Sequence, residues 1–330
     1  MVKYPQPPAL SAPDPCPPPP HISPRGGLDA SAVALPGAGP WASVLDFLAW
    51  RLPALDRAGW AARMAVGEVL DESGQALAPD TPFLRNTRIW YYRHVDAEPP
   101  LHDSETLLFQ DNWLVVADKP HHMPVVPGGR YVRNSLLVRL RERLGLPELS
   151  PLHRIDRETA GLVVFAVQAH TRAAYQHLFR ERAVHKVYEA LAPWRADLAL
   201  PHVQRSRLAP VAGFFTMQEE PGEPNSETRI ELLEQQAGLA RYRLTPVTGK
   251  RHQLRAHMNA LGLPLLGDRF YPQVLPAELP DDTERPLQLL AQVLAFDDPF
   301  TGEARHFRSQ RQLLPLSAWA GAKDAQPVRP

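Results

Sequence analysis

Apolar residues recur along the chain with two periods, and each period marks an element. Between Trp41 and Leu55, residues Val44, Leu45, Phe47, Leu48 and Leu52 fall at helical spacing and predict an amphipathic helix. Trp60 to Val66 predicts a second, shorter helix. Gly67 to Gly74 then reads as a strand and turn, and Arg88 to Tyr92 as a strand.

From Leu107 the rhythm changes. Trp113 to Ala117 is apolar and β-branched and ends at Asp118-Lys119-Pro120. Asn134 to Gly145 places Leu136, Leu137, Leu140 and Leu144 on one helical face, with Gly145 as a stop. Leu162 to Val167 is continuously apolar, as in a buried strand. Thr171 to Arg182 reads as a helix, Val184 to Leu191 and Leu239 to Val247 as strands, and Arg251 to Leu261 as an amphipathic helix. Strands and helices interleave without a regular βαβ period, which predicts an α+β class rather than a doubly wound sheet.

Proline sets off the N-terminus. Twelve of the 37 prolines fall within residues 1–40, including Pro17 to Pro20, and proline excludes helix and central strand. Residues 1–40 are therefore expected to form a disordered or extended tail. A small accessory unit over 41–100, a larger domain over 101–315 and a C-terminal tail over 316–330 complete the expected organisation.

Composition narrows the class. Cys16 is the only cysteine, so neither an intrachain disulfide nor a cysteine-based zinc site is available. No apolar run approaches the roughly 20 residues that span a bilayer, and no charged segment followed by an apolar core opens the chain. A cytoplasmic monomer without membrane contact is the expectation. Lys plus Arg number 36 and so do Asp plus Glu, a net charge of zero that on its face argues against a polyanion ligand.

The distribution reverses that inference. Residues 130–186 carry a net +6 and residues 241–257 a net +5, while residues 219–234 and 278–298 each carry −5. Three candidate segments lie in the basic stretches. His153 to Gly161 holds Asp156 between Arg154 and Arg157, where nearby cations favour the ionised carboxylate. By itself this segment reads equally as a surface ion-pair ladder. Lys186 and Tyr188 share one face of a strand, a cation beside an aromatic, which is also ordinary on a half-exposed sheet. Thr248 to His257 loads a helix start with Lys250, Arg251 and Arg255 behind Gly249, a natural anion site or a solvated basic helix start. It is not a phosphate-binding Walker loop, since the upstream Gly and downstream Ser or Thr are missing, nor a metalloprotease helix, since His252 and His257 lie five apart.

Taken in order, these segments resemble the RluA-type pseudouridine synthases. Asp118-Lys119-Pro120, the Asp156 loop, Lys186 with Tyr188, residues 248–257 and Gly262-Leu-Pro264-Leu-Leu-Gly267-Asp268 match that family's five ordered motifs across roughly residues 106–310. Ile155, Ala160 and Lys250 replace the family's Leu, Ser and Arg. The resemblance implies the pseudouridine synthase catalytic fold, a mixed, largely antiparallel central sheet flanked by helices, with a small N-terminal accessory unit. It implies isomerisation of uridine to pseudouridine in structured RNA, rRNA or tRNA, with neither cofactor nor metal.

Residue by residue, Asp156 matches the catalytic aspartate, Tyr188 the tyrosine that packs on the base and assists proton transfer, and Arg255 the arginine that pairs with the carboxylate. Arg154 matches the residue that fills the gap left by the flipped nucleotide. Lys186, Lys250, Arg251, His252 and Gln253 are expected on the RNA-binding side. Residues 41–100 stand where many family members carry a small ribosomal-protein-type RNA-binding domain. Gly67 to Asp71, Pro79-Asp80-Thr81 and Arg88 to Tyr92 resemble its turn and strands, though only Arg51, Arg57 and Arg63 supply basic charge to its helices. Two other classes compete: a glycoside-processing enzyme on free nucleosides or sugars, which needs a second carboxylate, and a non-catalytic RNA-binding module.

Overall fold

The computed structural model describes residues 19, 21–93, 95, 97–276 and 278–319. The chain divides into two compact units. Among the described residues, the first takes those up to Glu98 together with Gly129–Arg133 and Val138–Pro147, and the second takes the others.

In the first unit, strand β1 (Ser31–Ala34) leads to helices α1 (Val44–Arg51) and α2 (Arg57–Ala65), then to β2 (Val69–Leu70) and β3 (Arg88–Tyr91). The three strands form an antiparallel sheet in the order β1-β3-β2. Helix α1 is shorter than its apolar period. Ser43 caps its start by accepting from the Asp46 N–H at 3.1 Å, and Pro53 forces Leu52 out of helical geometry. Asp56 caps α2 by accepting from the Gly59 N–H at 2.7 Å. Val44, Phe47, Leu48, Trp60, Met64 and Ile89 form the core.

Strand β1 corrects the tail expected over 1–40. Prolines 24 and 36 bracket a proline-free run whose alternating residues bury on both faces, Ala30 and Ala32 on one side and Val33 and Leu35 on the other. Averaging proline over forty residues hides this period of two. Residues 1–18 and 20 lie outside the described residues. Gly129–Arg133 and Val138–Pro147, expected in the larger domain, pack within this unit because Val132 and Val138 bury against Leu28, and Arg141 pairs with Asp29 at 2.9 Å.

Two of the three basic residues on α1 and α2, Arg57 and Arg63, are answered locally. Arg57 pairs with Asp46 at 3.0 Å, and Arg63 pairs with Glu68 at 2.7 Å and donates to the Tyr92 carbonyl.

The second unit begins with β4 (Thr106–Gln110) and β5 (Leu114–Lys119), followed by α3 (Leu136–Leu144), whose first residues belong here. Then come β6 (Ser150–Pro151), β7 (Ala160–Ala166), α4 (Arg172–Arg180), β8 (His185–Pro193), β9 (His202–Pro210) and β10 (Met217–Glu220). The chain continues through β11 (Ser226–Gln236), β12 (Leu239–Pro246), α5 (Gln253–Ala260), β13 (Leu289–Asp297) and β14 (Ala304–Arg308). One sheet collects these strands in the order β10-β9-β11-β12-β8-β13-β7-β5-β4, with β14 on β13 and β6 on β7. Every pairing is antiparallel except β13 with β7. The fold is thus α+β around a mixed, largely antiparallel sheet.

Close packing fixes α5 and the start of β7. Helix α5 lays Leu254 and Met258 against Tyr242, Leu244 and Ile230 of the sheet. Gly161, at φ +111°, opens β7 where its backbone runs against β13, and a Cβ there would stand 2.3 Å from the Ala291 carbonyl oxygen. At the C-terminus, Leu313, Leu316 and Trp319 bury against Leu191, Leu239 and Leu290. The tail expected from 316 is therefore packed chain as far as Trp319, because its apolar residues recur at three-residue steps. Residues 320–330 lie outside the described residues. No helix among the described residues is long and apolar enough to cross a membrane.

Candidate active site

Sheet register brings the distant segments together. Ala291 of β13 lies opposite Gly161 of β7 on one side and Tyr188 of β8 on the other. The loop that leads into β7 carries Asp156, so Asp156 and Tyr188 come together across β13, which lies between β7 and β8. The 248–252 loop meets β8 there too, since a Cβ on Gly249 would lie 3.8 Å from Lys186 Nζ. Together they line a cleft of about 800 Å³.

Arg255 is the hub. Its side chain is fully buried, while that of Asp156 is about a quarter exposed. Arg255 Nη1 donates to Asp156 Oδ2 at 3.1 Å. Its other face is clamped by Asp268, which accepts from Nε at 2.8 Å and from Nη2 at 2.6 Å. Asp268 Oδ1 also accepts from the backbone N–H groups of Phe270 and Tyr271, which fixes the carboxylate in turn. Burial works against the guanidinium charge, but the Asp268 hydrogen bonds and charge outweigh it, with help from Asp156 and Glu158. The net shift is upward. The guanidinium also lies over the Phe270 ring at 4.7 Å.

Tyr188 lines the cleft with Asp156. Burial raises its pKa strongly and the Asp156 charge adds to the effect, so the phenol stays neutral near pH 7. His153 turns its ring flat against Phe179, centroids 4.8 Å apart, and its Nε2 accepts from the Val164 N–H at 3.2 Å. Burial, then Lys186, lowers its pKa to about 3.

This depression carries a stability prediction. The folded pKa of His153 lies below its ordinary 6.5, so the unfolded chain binds the extra proton between those values. The contribution is present above pH 6.5 and is lost as pH falls towards 3. His121 and His257, both lowered by burial to about 4, act in the same direction. Thermal melts at stepped pH should show Tm falling below pH 6.5, with a shallower fall in His153→Gln. A Tm flat from pH 7 to pH 4 would contradict the buried neutral imidazoles.

Beneath the Asp156 loop, Lys119 is wholly buried and donates to the Pro120 and Arg157 carbonyls at 2.9 and 3.0 Å. Burial lowers its pKa to about 7 against the opposing pull of Glu158 and Asp156. Arg157 turns away from the cleft centre to a two-point contact with Asp281 at 2.7 and 2.8 Å and to Glu158 at 3.0 Å. The loop is thus pinned at Arg157, directly after Asp156.

The expected contact residues separate into two kinds. Arg154, Lys250 and Arg251 are exposed at the cleft and Lys186 is half-buried. His252, at φ +51°, heads α5 and stacks on Phe270 at 5.8 Å. Gln253 has a structural role within the site. It is buried, and both ends of its amide are used internally. Its oxygen accepts from the Thr248 hydroxyl (2.6 Å) and the Lys250 N–H (3.0 Å), and its nitrogen donates to the Glu227 carbonyl and the Thr228 hydroxyl. It braces the basic loop where that loop lines the cleft.

Sequence reasoning gives no role to Lys119, Asp268 or Asp281. Asp268 has a signal in the Gly262-to-Asp268 motif, and the structure explains the glycine before it, since Gly267 sits at φ +71° with no room for a Cβ beside Pro286. Eight Arg or Lys residues and one carboxylate, Asp156, line the cleft among the described residues. Among the described residues, no group of three or more His, Cys, Asp or Glu is arranged to hold a metal ion.

A fold of this kind around one carboxylate and a basic cleft defines an RNA-modifying enzyme class, and similarity supplies the family. Residues 113–260 match the RNA pseudouridylate synthase family. The dual-specificity RNA pseudouridine synthase RluA of Haemophilus influenzae is 33% identical over 230 residues, which is 66% of this chain and 97% of that protein. The Escherichia coli protein of the same name is 35% identical over 181 residues, 52% of this chain and 80% of that one. The solved structure of human RNA pseudouridylate synthase domain containing 4 is 26% identical with a TM-score of 0.50, covering 65% of this chain and 90% of that one. The chain belongs to the RluA-type RNA pseudouridine synthase family.

Proposed function

We propose that this protein isomerises particular uridines in structured rRNA or tRNA to pseudouridine in the cytoplasm, with Asp156 as the catalytic group. The observation that carries the reading is a carboxylate, held by the buried Arg255, in a cleft where, among the described residues, the other charged side chains are Arg and Lys. The chemistry is an exchange within one nucleotide. The bond from the ribose to N1 of uracil breaks, the base turns over, C5 bonds to the ribose, the C5 proton leaves and N1 gains one. Asp156 is about a quarter exposed, within reach of a ribose, and either attacks the sugar or promotes deprotonation towards a glycal.

The neutral phenol of Tyr188 suits packing against the base and passing a proton by hydrogen bond. Arg154 is exposed at the cleft edge, where a side chain can occupy the space vacated by an extruded nucleotide. Extrusion costs a few kcal/mol of stacking and pairing, and phosphate contacts from Lys186, Lys250 and Arg251 offset it without reading sequence.

A glycoside-processing reading needs two carboxylates facing the bond. Glu158, the nearest to Asp156 in sequence, is buried with Arg157 and Arg255 and is not among the cleft-lining residues.

Purified protein incubated with total RNA from cells lacking its gene should generate new pseudouridine, detected by mass spectrometry of the digested RNA. Absence of product in both rRNA and tRNA fractions would overturn the proposal. Phosphate contacts also predict salt dependence. With three or more phosphates neutralised, kcat/KM should fall about tenfold or more between 50 and 200 mM salt, despite the protein's zero net charge. A salt-independent rate would mean that the basic cleft does not hold the backbone.

A further inference from the structure

A second feature stands beside the cleft. The hairpin joining β9 to β10 turns through residues 211–216, closed by hydrogen bonds from the Val211 N–H to the Thr216 carbonyl and from the Phe214 N–H to the Val211 carbonyl. Its tip carries Phe214 and Phe215, 53% and 43% exposed, with rings nearly parallel and centroids 5.8 Å apart. Single exposed apolar residues need no explanation, but a stacked aromatic pair on an ordered turn does. Phe215 is anchored on its inner side, edge-on to Phe270 at 4.7 Å and to His252 at 6.2 Å. Phe270 in turn underlies Arg255. The aromatic series therefore runs without a break from the ring beneath Arg255 to the outermost ring, Phe214.

We propose that Phe214 is a stacking platform for an unpaired base of the substrate RNA, next to the nucleotide in the cleft. This rests on the proposed action on RNA. Charge and position favour RNA over a protein partner. Lys250 and Arg251 are exposed on the adjoining loop, and the Arg251 guanidinium reaches Met217 at the foot of the hairpin, 3.6 Å from its sulfur. A backbone held by those cations brings its bases to the hairpin. Glu219 and Glu220, further along β10, disfavour phosphate there, so the hairpin tip grips by ring contact rather than by charge. A π face accepts any base, which suits an enzyme whose substrate must be partly unstacked before reaction.

The test pairs two measurements on the full chain. One is KM and kcat for pseudouridine formation in total RNA from cells lacking the gene. The other is the Kd for a fluorescein-labelled unstructured RNA of mixed sequence. Phe214→Ala should raise KM and Kd about tenfold, the scale of losing one stacked base, with the loss falling on KM rather than kcat and with Tm unchanged. Phe214→Trp should restore both constants, whereas Phe214→Leu, apolar but without a π face, should not. Unchanged constants in Phe214→Ala would overturn the platform and leave the exposed pair as a protein contact. Rescue by leucine equal to that by tryptophan would also overturn it. If the wild-type protein makes no pseudouridine, the functional reading fails instead, and the Kd series still reports on the platform separately.

Discussion

Replacing Asp156 by asparagine will lower pseudouridine formation by about 10⁴-fold or more, the scale at which loss of a reacting group is felt, while the protein stays folded and still binds RNA. The amide keeps the shape of the carboxylate and leaves an oxygen to accept from Arg255 Nη1. The clamp on the other face of Arg255 is untouched. Asp156 is partly exposed, so the exchange should change stability by no more than about 1 kcal/mol. The cations that would hold phosphates are on other residues. A single-turnover assay beside an RNA-binding titration checks this: product should vanish and Kd should stay within about twofold.

The second large effect lies one contact further out. Asp268→Ala removes the oxygens that accept from two Arg255 nitrogens and from two backbone N–H groups, and leaves a fully buried guanidinium half-paired. Breaking a buried pair by deleting one partner costs about 3–5 kcal/mol, which for a unit of this size lowers Tm by roughly 6–20 °C. Activity measured well below the lowered Tm should still be depressed, and in kcat, because the group that orients Asp156 is loosened. KM should move little. Asp268→Asn, which keeps one accepting oxygen, should fall between. Calorimetry and steady-state kinetics on the two variants test both halves. A normal kcat in Asp268→Ala would mean that Arg255 does not need this clamp to hold Asp156.

How far the chain alone reveals each feature depends on the physics of that feature. The buried strand β7 and the helix α5 announce themselves because burial imposes a period on apolar residues. The pairing of Asp156 with Arg255, 99 positions apart, comes from ordered motifs rather than from any period. Strands β9, β10, β11 and β14 carry alternating charge with few apolar residues, so their period of two is masked by ion pairs such as Arg205 with Glu227. Gln253 reads as a contact residue because it lies in a basic run, yet its oxygen is spent on the loop and its nitrogen on β11. Lys119 and Asp281 are opaque for a deeper reason. A charge is buried only where partners from elsewhere in the fold meet it, and those partners are named by topology, not by neighbours in sequence.

Zero net charge, finally, describes no face of this molecule. The cleft is cationic, and the acids that balance it lie mostly outside its lining. The most direct test of the central claim is a transcriptome-wide map of pseudouridine in cells with the wild-type gene, without it, and with Asp156→Asn in its place. The account predicts one or a few rRNA or tRNA positions that carry pseudouridine with the wild-type gene and plain uridine in both other strains. Identical maps in all three, or a map restored by the Asp156→Asn protein, would contradict it.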